Sequence, residues 1–340
     1  MTSNAARVTR YSKTVNNTQP RAVVAGASGF IGQRLVRDLR ERGYVVSRIG
    51  RGGADAQWSD LAAVQALIDG AQLVINLAGK SVNCRYTDSN RDEILRSRVE
   101  TTRQIRQAIE SSPTPPAVWL NASTATIFRY ALDRPMGETD GELGTGFSAD
   151  IAREWERELF SGELQSTRRV ALRMAIVLGD GPATGILIKL ARFGLGGPQY
   201  DGRWFPHRRY RGIGANPTGD GTAAHHRSGG KQRFSWIHID DVIASIHFIV
   251  STSDLSGPIN LAAPHTSDNR SLMAVLRQSV GAKIGLPAFR WMLEPAMWLL
   301  RTEPELVLKS RWVVPERLTA AGYVFRWPDL VPAIDDVVSR

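Results

Sequence analysis

Cysteine is nearly absent: Cys84 is the one thiol in 340 residues, which excludes an intrachain disulfide and a cysteine-based zinc site. Long apolar runs are missing too. No stretch approaches the ~18 uninterrupted apolar residues of a membrane span, and the first residues lack the apolar core of a signal peptide. The expectation is a soluble, cytoplasmic chain with no membrane partner. Acidic residues are absent from residues 1–21 and scarce over 200–233, and these segments carry +4 and +5 of the net +10. The rest of the chain is close to neutral. A nucleic-acid reader normally spreads charge over a folded face, whereas here it lies on a tail and a Gly-rich segment, which argues against a nucleic-acid partner. With 42% hydrophobic and 22% charged residues, the composition is globular and general disorder is excluded.

Residues 1–20 are polar and aperiodic, and read as a disordered arm. Lacking acids and carrying arginines, the arm also resembles a transit peptide, though without an amphipathic stripe. Order begins at Arg21. Residues 22–25 form a short apolar strand, followed by a glycine turn and a helical pattern to about Arg42, ended by Gly43. Strand patterns follow at 44–49, 73–77, 118–120 and 169–177. Helical patterns stand between them at 59–69, 88–110 and 147–160. Alternation of helices with uniformly apolar strands predicts an α/β fold, a Rossmann-type doubly wound parallel sheet covered on both faces. The domain is expected to span 21–252, with 203–230, rich in Gly, Pro, His and Arg, as a mobile insertion. Residues 253–340 are expected to form a smaller C-terminal subdomain packing Trp291, Trp298, Trp312 and Trp327, in preference to a membrane-facing stripe.

Gly26, Gly29 and Gly32 follow a strand and open a helix, as a dinucleotide-binding turn requires. The first permits the tight turn, the second lets backbone approach a pyrophosphate, and the third allows helix and strand to pack closely. Ser28, Phe30 and Ile31 complete the turn. At the end of the second strand, NAD sites usually carry a carboxylate and NADP sites an arginine. This chain has Arg48 and Arg51 and no acid before Asp55. Arg51, at the strand's exit, is placed to fork a 2′-phosphate, so NADP(H) is the expected cofactor.

With these residues on the page, the chain resembles the extended short-chain dehydrogenase/reductase superfamily. Within it, the chain is similar to an atypical epimerase branch with a C-terminal domain of unknown function. The likeness runs from Arg21 to Val338. It is carried by Gly-Ala-Ser-Gly-Phe-Ile-Gly at 26–32, Asn-Leu-Ala-Gly at 76–79, Ser-Thr-Ala-Thr-Ile-Phe at 123–128 and Trp-Glu at 155–156. Phe-Gly-Leu-Gly-Gly at 193–197, Trp-Ile-His-Ile-Asp-Asp at 236–241, Pro-Glu-Arg-Leu at 315–318 and Ala-Gly-Tyr-Val-Phe at 321–325 complete the set. The resemblance implies a smaller subdomain covering the substrate. It also implies that Leu77, Ala78 and Gly79 line the cofactor, and that Ala175 to Leu178 edge the nicotinamide. The catalytic hydroxyl falls on Thr124, with Ser123 beside it.

One family mark is missing. The Tyr-x-x-x-Lys pair should stand at the start of helix 147–160, where one register reads Phe147 and Ile151 and the next Ser148 and Ala152. Neither register holds the tyrosine or lysine that would exchange a proton with a substrate oxygen, a loss that typically costs about 10²–10⁴-fold in rate. Lys80 and Tyr86 are substitute acids, and Arg85 a holder for an anionic substrate; each also reads as a solvated lysine, a packed tyrosine and a surface arginine. Arg129 and Tyr130 follow the hydroxyl strand. His238 reads as structural, with Asp240 or Asp241 capping the helix after it. His207, His225 and His226 lack a carboxylate or cysteine framework, so no metal site is expected. Two functions fit: an NADP-dependent oxidoreductase or epimerase acting on a small carbonyl or hydroxyl compound, or an NADP-dependent sensor or scaffold. The second has precedent in relatives labelled cell-division regulators, and calls for a homodimer or a protein partner.

Overall fold

The central strands are short and mainly apolar because helices cover both faces of the sheet they build. In the computed structural model, which describes residues 19–222 and 226–340, seven strands form one sheet. They are β1 (Arg21–Ala25), β2 (Val45–Gly50), β3 (Ala56–Gln57), β4 (Leu73–Asn76), β5 (Val118–Thr124), β6 (Arg168–Met174) and, after the short strands β7 (Ile176–Leu178), β8 (Gln199–Tyr200), β9 (Arg233–Phe234) and β10 (Trp236–His238), β11 (Gly257–Leu261). Their order is β11-β6-β5-β4-β1-β2-β3, with every neighbouring pair parallel. The helices are α1 (Phe30–Glu41), α2 (Leu61–Ile68), α3 (Asp88–Glu110), α4 (Phe147–Phe160), α5 (Pro182–Arg192) and α6 (Ile239–Ser251). Along β1, Ala22 and Val24 enter the core shared with Leu35, Leu39, Val242 and Ile246 of α1 and α6. Val23 and Ala25 enter the opposite core, with Val64 and Ile68 of α2 and Ile105 and Ile109 of α3. The period of two, buried on both sides, is why the strands read as unbroken apolar runs.

The chain runs outward through β1, β2 and β3, then returns to place β4 beside β1. That reversal opens a crevice at the carboxyl ends of β1 and β4, the usual ligand position in such sheets. Beyond β11 come β12 (Ser267–Asp268), α7 (Asn269–Ser279), β13 (Ala288–Phe289), α8 (Arg290–Leu299), α9 (Glu305–Leu308), α10 (Glu316–Ala320) and α11 (Leu330–Ser339). Two small ladders, β8 with β13 and β9 with β12, join this part to the body.

Four expectations change. Strand β11 belongs to the main sheet beside β6, so a boundary at 252/253 would cut that sheet. The insertion at 203–230 is tied down over its described length. The buried Arg91 of α3 donates to the carbonyls of Arg209, Arg211 and Gly212 at 2.7, 2.7 and 3.1 Å. Asp150 of α4 accepts from the amides of Ile213 and Thr218. Of the four tryptophans, Trp312 and Trp327 pack, but Trp291 and Trp298 are 67% and 64% exposed, because α8 turns Arg290 and Glu294 inward. Helix α6 is capped by His238, whose Nδ1 accepts the Asp240 amide at 3.2 Å, and not by either aspartate. The arm over 1–18 and His225 lie outside the described residues. No helix among the described residues is long and apolar enough to cross a membrane.

Candidate cofactor cleft and substrate cavity

The crevice is shaped by glycines, two of which admit no side chain. Gly26 has φ +76°, and a Cβ there would stand 2.6 Å from the Leu77 carbonyl carbon at the end of β4. A Cβ on Gly32 would meet the Gly26 carbonyl and sit 2.8 Å from Ala27 Cα, so α1 lies tight against the turn. Gly29 has room, its nearest neighbour being the Gly26 carbonyl at 3.4 Å. It caps α1 without any side-chain hydrogen bond. The first amides of that helix, from Phe30 and Ile31 onward, are therefore left for an anion, and the macrodipole favours one. Gln33 donates to the Ser28 carbonyl at 2.8 Å and steadies the loop. The Phe30 ring fills the far wall: Cβ atoms on Gly179 and Gly181 would meet it at 2.7 and 2.9 Å. Leu178, just before them, is buried.

The two arginines at the exit of β2 are differently employed. Arg48 is bound by Asp55, whose carboxylate accepts its backbone amide at 2.8 Å and its guanidinium at 3.2 Å. This contact lowers the Asp55 pKa and raises that of Arg48. Arg51 is exposed and makes no hydrogen bond or ion pair among the described residues. On the other side, Asn76 at the end of β4 is fully buried, donates to Asn121 at 2.7 Å and accepts the Ala78 amide at 3.0 Å. That hydrogen bond sets the bend of Leu77-Ala78-Gly79. Gly79 lies over the guanidinium of Arg98, whose pKa burial pulls down to about 10.

The candidate acids on the next loop are held in place. The Lys80 ammonium is paired with Glu93 and donates to Asn90 at 2.8 Å. Tyr86 is buried against Phe147, ring centroids 4.6 Å apart, and burial raises its pKa. Arg85 stacks on Trp298 at 4.2 Å and donates to its carbonyl. On β5, neighbouring side chains point to opposite faces. Ser123 is buried with its hydroxyl donated to Glu156 at 2.6 Å, while Glu156 forms a two-pronged pair with Arg173 at 2.8 and 2.7 Å. Thr124 is half-buried, and its Oγ1 accepts the Thr126 amide at 3.2 Å. Ala175 follows β6 and packs with the core behind Ala125 and Ile127.

A cavity of about 310 Å³ is lined by residues from the segment after β5, the start of α4, the insertion and the C-terminal part. Arg129 and Tyr130 from the β5 exit, Ser148 from the first turn of α4, Asp201, and Glu305 and Lys309 of the C-terminal part all line it. Tyr130 donates to Asp201 at 3.1 Å and stacks on His226, centroids 3.3 Å apart. Burial pulls the Lys309 pKa down to about 8, Arg311 adds to the shift and Glu305 opposes it. Asp201, Glu305 and Lys309 carry no sequence motif. Only the topology brings them beside Arg129 and Tyr130.

A parallel sheet with a glycine-lined crevice at its switch point defines a Rossmann-class nucleotide-binding protein. Residues 22–146 match the NAD dependent epimerase/dehydratase family, and residues 288–337 match a domain of unknown function, DUF1731. The chain is 30% identical over 328 residues to the epimerase family protein SDR39U1 of Bos taurus, covering 94% of this chain and all of that one. It is 26% identical over 325 residues to the epimerase family protein YfhF of Bacillus subtilis (strain 168), covering 93% and 97% of the two chains. The crystal structure of human SDR39U1 with NADPH superposes with a TM-score of 0.79 at 26% identity, over 94% of this chain and 99% of that chain. The chain belongs to the NAD dependent epimerase/dehydratase family.

Proposed function

We propose that this chain is an NADP(H)-dependent oxidoreductase of the short-chain dehydrogenase/reductase type acting on a small carbonyl or hydroxyl compound. The observation that carries the reading is the unpaired Arg51 at the exit of β2, on a crevice shaped by Gly26 and Gly32; the substrate would occupy the cavity of about 310 Å³ lined by Tyr130, Ser148, Asp201 and Lys309. That volume is at the small end of ligand sites. Gly26, Gly29 and Gly32 would admit the pyrophosphate against α1, Arg51 would clamp the 2′-phosphate, and Leu77 to Gly79 with Ala175 to Leu178 would flank the nicotinamide. The NADPH in the human relative supports this assignment. The cofactor supplies a hydride at nicotinamide C4. Thr124 orients the substrate oxygen, while Ser123, Lys80, Arg85 and Tyr86 support the walls through the contacts described above. The test is NADPH oxidation across aldehydes, ketones and α-dicarbonyls, with calorimetry of NADPH binding. Turnover of at least one compound is expected; tight binding with no turnover would contradict the reading.

One observation favours the sensor reading. Helix α8 presents Trp291, Trp298 and Leu299 to solvent at 67%, 64% and 75% exposure, an apolar face of the kind a protein partner covers. On that reading NADPH changes association and is not consumed. Light scattering with NADPH and with NADP⁺ distinguishes the two.

A further inference from the structure

Carbonyl reduction consumes a proton as well as a hydride, and the helix that should supply it offers Phe147 and Ser148. Phe147 is buried beneath Arg91, whose guanidinium lies 4.3 Å from the ring centroid. Ser148 faces the cavity but is far too weak an acid. The cavity's other walls hold the alternatives. Tyr130 donates a hydrogen bond to Asp201, and burial together with that carboxylate raises its pKa. Arg129 is held by Asp133 and Glu142 at 2.8 and 3.0 Å. Arg290 donates to Gly202 and Tyr210 at 2.8 and 3.1 Å and pairs with Glu294. The Lys309 ammonium makes no hydrogen bond or ion pair among the described residues, and it stands at the end of α9 on the cavity wall. Glu305, Arg311, Tyr210 and His226 complete the charged and titratable groups around it.

We propose that Lys309 is the proton donor of this site, delivering a proton from the C-terminal subdomain to the substrate oxygen. The inference rests on the oxidoreductase reading above. A hydride with its electron pair passes from C4 of the reduced nicotinamide cofactor to the carbonyl carbon. The C=O π pair moves onto oxygen, and that oxygen takes one proton from Lys309. The products are an alcohol, the oxidised cofactor and a neutral amine, which regains its proton from water. Burial supports the role: a lysine titrating near 8 is charged at neutral pH and releases its proton far more readily than an exposed one at ~10.4. A site whose usual acid is missing from α4 would then be completed from a different element, which places the DUF1731 segment in the chemistry.

The test compares wild type, K309M and K309R with glyceraldehyde, diacetyl and 4-nitrobenzaldehyde as probes. NADPH oxidation is followed from about pH 6 to about pH 10, and NADPH affinity is measured by calorimetry. In parallel, an amine-reactive label is read by mass spectrometry at each of the six lysines of the wild-type chain. Both variants should lose roughly 10²-fold or more in kcat, since arginine keeps the charge but cannot release a proton. NADPH affinity should stay within about twofold. The wild-type rate should fall above about pH 8, and labelling of Lys309 should titrate well below that of exposed lysines. Unchanged kcat in both variants overturns the proposal while the oxidoreductase reading stands. Labelling of Lys309 in step with the exposed lysines also overturns it. No oxidation by wild type with any probe overturns the oxidoreductase reading and this proposal with it. If K309M fails to fold, K309R and the wild-type labelling decide.

Discussion

At the scale of single residues, environment separates side chains that the sequence presents alike. Arg48 and Arg51 are three positions apart, yet one is spent on Asp55 and the other is open. Arg51→Ala is therefore expected to weaken NADPH binding roughly tenfold or more, the usual weight of a charge-assisted phosphate contact, and to leave NADH binding nearly unchanged. Calorimetry of both cofactors checks this, and equal losses for the two would remove Arg51 from the 2′-phosphate. Ser123 and Thr124 are adjacent, yet the pleat sends one into the core and the other toward the cleft. Glu156→Gln would leave the buried Arg173 without its partner, and a loss of about 3–5 kcal/mol in urea unfolding is expected. A change near zero would show that the pair is solvated. The motif letters single out the glycines, Arg51 and Thr124. They are silent about Lys309 because its place on the cavity wall with Arg129 and Tyr130 joins segments about 180 residues apart, a proximity no local pattern records.

At the scale of elements, periodicity records the helices that face a core and is silent about segments that pair only with distant elements. The helices at 88–110 and 147–160 match their patterns end to end. The insertion looked loose because its pairing is made with α3 and α4 and not within itself. Arg91→Met should leave three backbone carbonyls without donors, lower stability by about 2 kcal/mol or more, and expose residues 203–222 to trypsin. NADPH affinity should persist, since the glycine turn lies elsewhere. Helix α6 carries a pH dependence through its cap. His238 is buried with Nδ1 accepting from Asp240 and Nε2 3.2 Å from Asp336, and burial lowers its pKa. The unfolded chain then binds the proton more readily than the folded one, so stability is full above about 6.5 and erodes as pH falls below it. His238→Asn keeps a capping oxygen and should flatten this acid-side slope of Tm against pH. An unchanged slope would assign it to other groups.

At the scale of the whole molecule, three regions distant in sequence converge on one end of the sheet. The glycine turn and Arg51 hold one side of the crevice, and the segment after β5, the insertion and the C-terminal subdomain line the cavity. Part of the basic charge of residues 200–233 is absorbed in this convergence. Arg209 is bound to Glu294 at 2.5 Å and Arg233 covers the Trp312 ring at 4.0 Å. The fold class was legible because a parallel sheet imposes uniform apolar strands. The cavity was not, because its walls are assembled by topology from segments with no shared pattern.

The central claim is that cofactor cleft and cavity are one continuous site, and a crystal structure of the NADPH complex tests it most directly. The account predicts the 2′-phosphate on the guanidinium of Arg51, the pyrophosphate over Gly29, and nicotinamide C4 facing the cavity between Thr124 and Lys309. A nicotinamide turned away from that cavity, or a 2′-phosphate in solvent with Arg51 uninvolved, would contradict it.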